Sequence, residues 1–433
     1  MTSEPDTAEE SAAARPARRR GLGALVLDTR PLRVVPFRRL WASTAVTAIG
    51  SQLTAVAVPK QVYDITNSSG YVGLAGAVAL VPLLVFGLWG GAIADTVDRR
   101  KLLLVTNAGI AVTSLLLWIQ AVAAVHSVWV VLALLALQQG LFAVNQPARS
   151  ASVPRLVPAN LMPAANAVFN TVFSFGAVLG PLLAGAFIPV LGLPTLYLID
   201  AVGLCLTLWA VWRLPPLPPL SGQVRRAGLA DVLDGFRYLS VRKVILASFL
   251  LDIIAMVAGM PRALFPEMAE HTFGDPPGGG VALGWLFAAI PIGAVIFGVF
   301  SGWLSRIRRH GVAVTAAVCA WGIAVVGFGL AHSLVLATVF LGLAGAADLV
   351  SMVFRNTMIQ TAATDEMRGR MQGVFTVVVT GGPRLADILH GVVGATAGTT
   401  ATVAGGGVLV VVFAIIAVVL LPAFWRYRAP DAG

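Results

Sequence analysis

FGLWGGAIADTVDRRKLL, Phe86–Leu103, begins inside an apolar run with closely spaced glycines and ends in a burst of charge: Asp95, Asp98, Arg99, Arg100 and Lys101. An apolar helix that ends this way is leaving a membrane. A turn this short and this charged belongs where two spanning helices meet the cytoplasm. The rest of the chain can be laid out from that point.

The 433 residues are 58% hydrophobic and only 12% charged, with a mean hydropathy of +0.85. A water-soluble domain does not have this composition. Apolar runs of about 20 residues recur, each long enough to cross ~30 Å of hydrocarbon. They must be helical, because lipid offers no partner to backbone N–H and C=O groups. They do not alternate, which excludes β-barrel spans. The formal net charge of +10 would suggest nucleic acid in a soluble protein. Here the basic residues lie at helix ends, so topology explains them and no nucleic-acid partner is expected. Cys205 and Cys319 lie far apart in apolar runs, which predicts neither a disulfide framework nor a metal site. Arginine outnumbers lysine 27 to 3, a bias that resembles translation from GC-rich bacterial DNA.

Twelve spans can be read, at about 40–63, 71–94, 102–124, 127–146, 164–189, 192–212, 243–267, 281–304, 312–331, 333–354, 371–397 and 402–424. Residues 1–36 read as a disordered cytoplasmic segment. The basic run Arg15–Arg20 and the apolar Gly21–Leu27 imitate a signal peptide, but the apolar part is too short and is cut by Asp28 and Arg30. The expected organisation is therefore a first six-helix bundle at 37–212, a linker at 213–242, a second bundle at 243–425 and a cytoplasmic tail at 426–433. The linker opens with PPLPPL at 215–220 and carries a surface helix near Asp231–Leu239. With the N-terminus in the cytoplasm, 27 of the 30 Lys and Arg residues fall in segments on the cytoplasmic side. The other three, Lys60, Arg262 and Arg384, fall inside spans. This is the positive-inside pattern, with both termini cytoplasmic.

The halves repeat. Gly73–Gly91 aligns without gaps on Gly284–Gly302, with Phe86 and Gly87 opposite Phe297 and Gly298. Asn160–Gly185 aligns on Glu366–Gly391, with Gly176 and Gly185 opposite Gly382 and Gly391. Extending that register backwards sets Arg149 opposite Arg355. Corresponding spans run in the same direction, an arrangement of alternating-access transporters with a substrate site between the halves.

GGAIADTVDRRK at 90–101 resembles the signature that major facilitator superfamily transporters carry between their second and third spans. Within that superfamily, the chain from FRRLW at 37–41 onward resembles the enterobactin-exporter group. The pieces are VPRLVPANLMPAANAV at 153–168, LYLIDAVG at 196–203, GFRYL at 235–239, FAAIPIGAVIFG at 287–298 and MIQTAATDEMRGRMQGV at 358–374. The group includes siderophore exporters and drug-resistance pumps. GAVLGPLLAG at 176–185 is similar to the fifth-span motif of superfamily antiporters, with Gly176, Gly180, Pro181 and Gly185 in place. Small residues so spaced make a face for close helix approach, and Pro181 adds a weak point. Two positions depart from the superfamily pattern. Ala136 stands where an arginine is usual, three residues before Gln139-Gly140, and Arg306 stands opposite Asp95 in the second half.

Gly91, Asp95, Asp98, Arg99 and Arg100 are therefore the expected cytoplasmic gate. Asp95 would accept hydrogen bonds from a neighbouring helix N-terminus, and the arginines would pair across the loop. Ionisable residues inside spans are costly and are functional candidates. These are Asp200, Asp252, Arg262, Asp348, Arg384 and Asp387. A carboxylate in a low-dielectric cavity can exchange protons near neutral pH, which makes Asp252, Asp348 and Asp387 coupling candidates. Arg262 and Arg384 could hold an anionic substrate or a deprotonated acid. Simpler readings are also open: Arg384 and Asp387 neutralise each other, Asp348 pairs with Arg355, Asp200 serves packing, and Lys60 snorkels to the outer surface. Arg384, Asp387 and His390 repeat every three residues as one polar stripe. Gln138, Gln139, Asn170 and His390 are the expected cavity-lining polar groups. No catalytic set, phosphate loop or metal-ligand spacing occurs, so neither an enzyme nor a cofactor is expected.

The expected protein is an all-α integral membrane protein, a monomer, whose partners are the bilayer and a small-molecule substrate. Resemblance implies an exporter of a siderophore-like or related metabolite from a bacterial cytoplasmic membrane, exchanging it for protons. A multidrug or antibiotic efflux pump of the same fold is the alternative. A membrane receptor or scaffold would need neither paired repeats nor buried charges.

Overall fold

Breaks in the backbone divide the apolar runs much where glycine and proline fall. The computed structural model describes residues 28–219, 237, 239, 242–362 and 365–428, with side chains except at 88, 91, 92, 94, 95, 362, 365–373, 375 and 376. The helices are α1 (Val35–Thr66), α2 (Ser69–Thr96), α3 (Arg99–Val122), α4 (Val128–Leu156), α5 (Met162–Leu191), α6 (Leu193–Trp212) and α7 (Lys243–Gly259). They continue as α8 (Phe265–His271), α9 (Val281–Val299), α10 (His310–Gly329), α11 (Leu334–Ala362), α12 (Asp365–Ala397), α13 (Thr399–Leu420) and the short α14 (Pro422–Trp425). Ten helical segments among the described residues are long and apolar enough to cross a membrane. Neither α1, with 32 residues, nor α12, with 33, is among them. Both are long enough, but they carry the ionisable residues discussed below.

The helices pack as two groups. In the first, α1 lies on α5 and α6, α2 on α4, and α3 on α4 and α6. In the second, α9 and α10 lie on α11, and α7 joins α12 and α13. The groups meet most extensively through two pairs, α2 with α12 and α5 with α9, and further through α1 against α8. The turns into α6 and α13 share a backbone conformation. Gly192 has φ 75° and ψ 155°, and Gly398 has φ 82° and ψ 158°. Only glycine enters that region without strain. The two lie 206 residues apart, the offset of the second sequence repeat.

Three spans differ from expectation. The run 243–267 is not one helix. Met260, with φ −121° and ψ 83°, leaves the helical region ahead of Pro261, which disfavours helix at the residue before it, and a 3-10 turn at Arg262–Leu264 precedes α8, which opens with Pro266 in its first turn. Helices α4 and α11, of 29 residues each, reach about 43 Å by helical rise. They run past the expected ends because Arg149 and Arg355 are not loop charges: both are buried, 3% and 2% exposed. Within the segment expected to be disordered, Arg30–Arg33 form a 3-10 turn whose Pro31 is buried. The surface helix expected at Asp231–Leu239 falls outside the described residues apart from helical Arg237 and Leu239.

Candidate functional site

In the second group, buried charges meet across helices. The face of α7 that carries Ala247, Ser248, Leu251 and Ala255 inward also carries Asp252. Its carboxylate pairs with the guanidinium of Arg355 on α11, and neither side chain is more than 3% exposed. Arg355 also donates from Nε to the Ser351 carbonyl at 3.3 Å, and its Nη2 lies 4.0 Å from Asp348 Oδ1. Asp348 is two turns back on the same helix and is 40% exposed. A carboxylate in mid-span that faced lipid would be very costly. Its partial exposure goes with a small cavity that it lines together with residues of α7 and α10, all in the second group. A cavity lined by Asp252, Met256, Met260, Trp321, Asp348 and Ser351 has a water-accessible volume of about 20 Å3, room for about one water.

Arg262, in the break after α7, is half-buried and lies within electrostatic reach of Asp387, Arg384 and Asp348. Arg384 Nη1 sits 3.6 Å from Asp387 Oδ2 on α12, so the two do neutralise each other along one helix. Asp387 faces α2, where a Cβ on Gly76 would meet it. The stripe does not hold to His390. Three residues advance a helix by 300°, so each step lags by about 60° and His390 ends about 120° round from Arg384. It is 1% exposed, with Nδ1 3.0 Å from the Ala386 carbonyl, and Nε2 is directed at Gly406 of α13. It packs inside the second group and is not among the residues that line the cavity beside Asp252.

The first group holds a different polar core. Asp200 of α6 is buried and accepts hydrogen bonds from Thr54 of α1 at 3.0 Å and Ser114 of α3 at 2.8 Å. Gln138 donates to Ser114 at 2.9 Å. Asp200 and Gln138 thus sit within the group, away from the seam, while Gln139 is half-buried and Asn170 is exposed on α5. Arg149, in the position equivalent to Arg355, is held by amide oxygens, Asn145 Oδ1 at 3.2 Å and Asn107 Oδ1 at 3.3 Å.

At the charged turn, Asp98 caps α3. Its Oδ1 accepts from Arg100 N at 2.8 Å and from Leu217 N at 3.2 Å. Arg99 Nη1 donates to the Ala151 carbonyl at 3.0 Å, and Arg100 Nη2 donates to the Trp212 carbonyl at 2.5 Å. These bonds tie the turn to α4 and to the start of the proline-rich linker, all within the first group. The side chain of Asp95 and the surroundings of Gly91 lie outside the described residues. The glycines at 176–185 divide between two helices. Gly176 and Gly180 lie against Ala48 and Gln52 of α1, while Gly185 meets Gly284 of α9 across the seam.

At the opposite end of the molecule, the two groups are joined by contacts that the sequence reading missed. Lys60 does not snorkel. It is fully buried, with Nζ 2.5 Å from Asp64 Oδ1 on its own helix and 2.9 Å from Glu270 Oε2 on α8. Ser69 donates to Glu267, and Tyr63 Oη lies 3.0 Å from His271 Nε2. Beside these, α2 and α12 approach closely. A Cβ on Gly73 would lie 3.0 Å from Gly391 Cα, and one on Gly185 would lie 2.8 Å from Gly284 Cα. The signal was present in the sequence: Lys60 stands alone as a cation near that end, and a buried cation requires an anion. What was missing was which of the acids reached it.

Long apolar helices packed in two groups, with buried ion pairs within and between them, define a multi-pass integral membrane protein. The chain belongs to the transmembrane secretion effector family of the major facilitator superfamily, whose model matches residues 28–428. It is 28% identical over 408 residues to the enterobactin exporter EntS of Escherichia coli and of Escherichia fergusonii, covering 94% of this chain and 96% of each relative. In structure it is similar to a bacterial homologue of the human lysosomal transporter Spinster, with TM-score 0.67 and 15% identity over 92% of this chain and 97% of that one. It is also similar to the nucleoside transporter NupG, with TM-score 0.66 and 15% identity over 90% of this chain and 98% of that one.

Proposed function

We propose that this protein is a secondary active exporter that moves a siderophore-like or related small metabolite out across a bacterial cytoplasmic membrane in exchange for protons. It has twelve spans in two parallel-repeat halves, α1–α6 and α7–α13, with α7 and α8 forming one broken span and both termini in the cytoplasm. The contact that carries this reading is reciprocal. Gly73 meets Gly391 and Gly185 meets Gly284, and the sequence repeat sets Gly73 opposite Gly284 and Gly185 opposite Gly391. Repeat-equivalent positions that exchange partners in this way are what a two-fold axis between the halves produces. Halves that touch through glycine crossings at one end, with an exposed Asp348 toward the other, can rock about a central site. The Lys60 end is then the outer end, and the conformation described faces inward.

The substrate is assigned by likeness to the enterobactin exporters and by chemistry. Arg262 and Arg384 offer planar donors to an oxygen-rich molecule, and the acids Asp348 and Asp387 beside them keep the site near neutral. Asp252, Asp348 and Asp387 carry the protons. Deleting the gene and profiling secreted metabolites under iron limitation and iron excess tests the reading. Loss of a secreted iron chelator is expected. An unchanged profile with new antibiotic sensitivity would instead assign drug efflux.

A further inference from the structure

We propose that Lys60, Glu267 and Glu270 form a releasable latch that closes the outer end, and that Asp64 is the residue that lets it open. The proposal rests on the inward-facing reading above. Three side chains of the first half, Lys60, Tyr63 and Ser69, bond to three of one seven-residue helix, Glu270, His271 and Glu267 of α8. That helix is set off from α7 by the break at Pro261, so it is a separate, short piece of the second half placed over the end of α1 and α2. Its contacts are polar and directional, unlike the glycine crossings below it. A latch of this kind depends on its geometry, and it is lost as a whole when the halves separate.

The problem such a latch poses is the buried cation. Lys60 is sealed from water. If Glu270 were its one partner, opening would break the lysine's sole ion pair and leave water alone to replace it. Asp64 prevents this. It is one turn from Lys60 on the same helix, at 2.5 Å, so it moves with Lys60 when α8 leaves. Its carboxylate is 30% exposed and that of Glu270 is 21% exposed. Each can therefore be hydrated once the halves part. Lys60 exchanges a shared pair of carboxylates for one, and never becomes unpaired.

The arrangement gives two carboxylates on one lysine opposite effects. Removing the Glu270 charge weakens the closed state alone. Removing the Asp64 charge leaves Lys60 dependent on Glu270 and penalises the open state. The test uses the full chain in liposomes, with Cys205 and Cys319 replaced by serine and spin labels at His126→Cys and His332→Cys. These positions are exposed in the loops before α4 and α11. Distances are read by pulsed electron resonance. Glu270→Gln is expected to raise the long-distance, outward-open fraction about tenfold relative to the closed one, and Asp64→Asn to lower it. Lys60→Arg is expected to stay near the starting ratio. A distribution unchanged by Glu270→Gln, or shifts of the same sign in Glu270→Gln and Asp64→Asn, would overturn the latch. The measurement needs no substrate, so failure of the latch and failure of the export reading are separate results.

Discussion

Arg355 carries more of the second half's chemistry than its place in the sequence suggests. It would be a loop charge if α11 ended where its apolar run thins. Instead the helix continues and turns the guanidinium onto Asp252, with Asp348 at the limit of ion-pair distance. Breaking such a buried pair leaves one charge without a counterion. Arg355→Met is expected to lower unfolding stability by ~3 kcal/mol, and Asp252→Leu with Arg355→Met together to recover most of it, since an apolar pair fills the space without a charge to solvate. Thermal unfolding in detergent checks both. Export separates the two roles. Asp252→Asn and Asp387→Asn are each expected to slow proton-driven export in energised vesicles by ~5- to 150-fold, the usual range for loss of a coupling interaction. If neither slows it, the carboxylates are structural. The equivalent Arg149 is surrounded by the amides of Asn107 and Asn145, so the two halves share a buried arginine but not its acids.

Among the elements, α5 shows how one helix can serve two interfaces. Gly176 and Gly180 pack on α1 and Gly185 packs on α9. Under the proposed rocking motion, the first contact, internal to a half, persists, while the second forms and separates. Gly185→Leu should therefore leave the folded yield near normal, while Gly176→Leu should reduce it, because the leucine would be driven into the Ala48 backbone of a permanent contact. Both should lower export. Fluorescence-detected size exclusion together with vesicle transport distinguishes the two. The broken element α7–α8 shows the limit of reading helices from hydropathy. The run 243–267 is apolar enough for one span, yet Pro261 and Pro266 reset the backbone within it, and the reset places the Glu267 and Glu270 face against α1 and α2.

For the whole molecule, the repeat has consequences for topology as well as for motion. The proposed arrangement, parallel halves of six spans each, requires both termini to lie on one side. A reporter active only in the cytoplasm should be active when fused at either end. A membrane-impermeant maleimide should reach His126→Cys in intact cells and leave Arg308→Cys unlabelled. The opposite labelling would invert the assignment of outer and inner ends and would place the latch in the cytoplasm.

Most of the architecture was legible in the sequence because membrane helices announce themselves. Hydrocarbon demands length and apolarity over each span, charge must lie at the ends, and a duplicated chain keeps its small residues at matching positions. The apolar helices, the transporter class and the matching small residues Gly185 and Gly391 all follow from such local rules. Buried partners do not. Lys60, Asp200, His390 and Arg355 were visible as polar residues in apolar surroundings, but their meaning depended on which helix lay opposite. His390 turned inward because a helix advances by about 100° per residue, Asp200 was satisfied by Thr54 and Ser114 from two other helices, and Lys60 met Glu270 from 210 residues away. Hydrophobicity and charge count act along the chain and can be read there. Ion pairs and glycine crossings depend on distances of a few ångströms between segments far apart in sequence, and only the packed tertiary structure sets those distances.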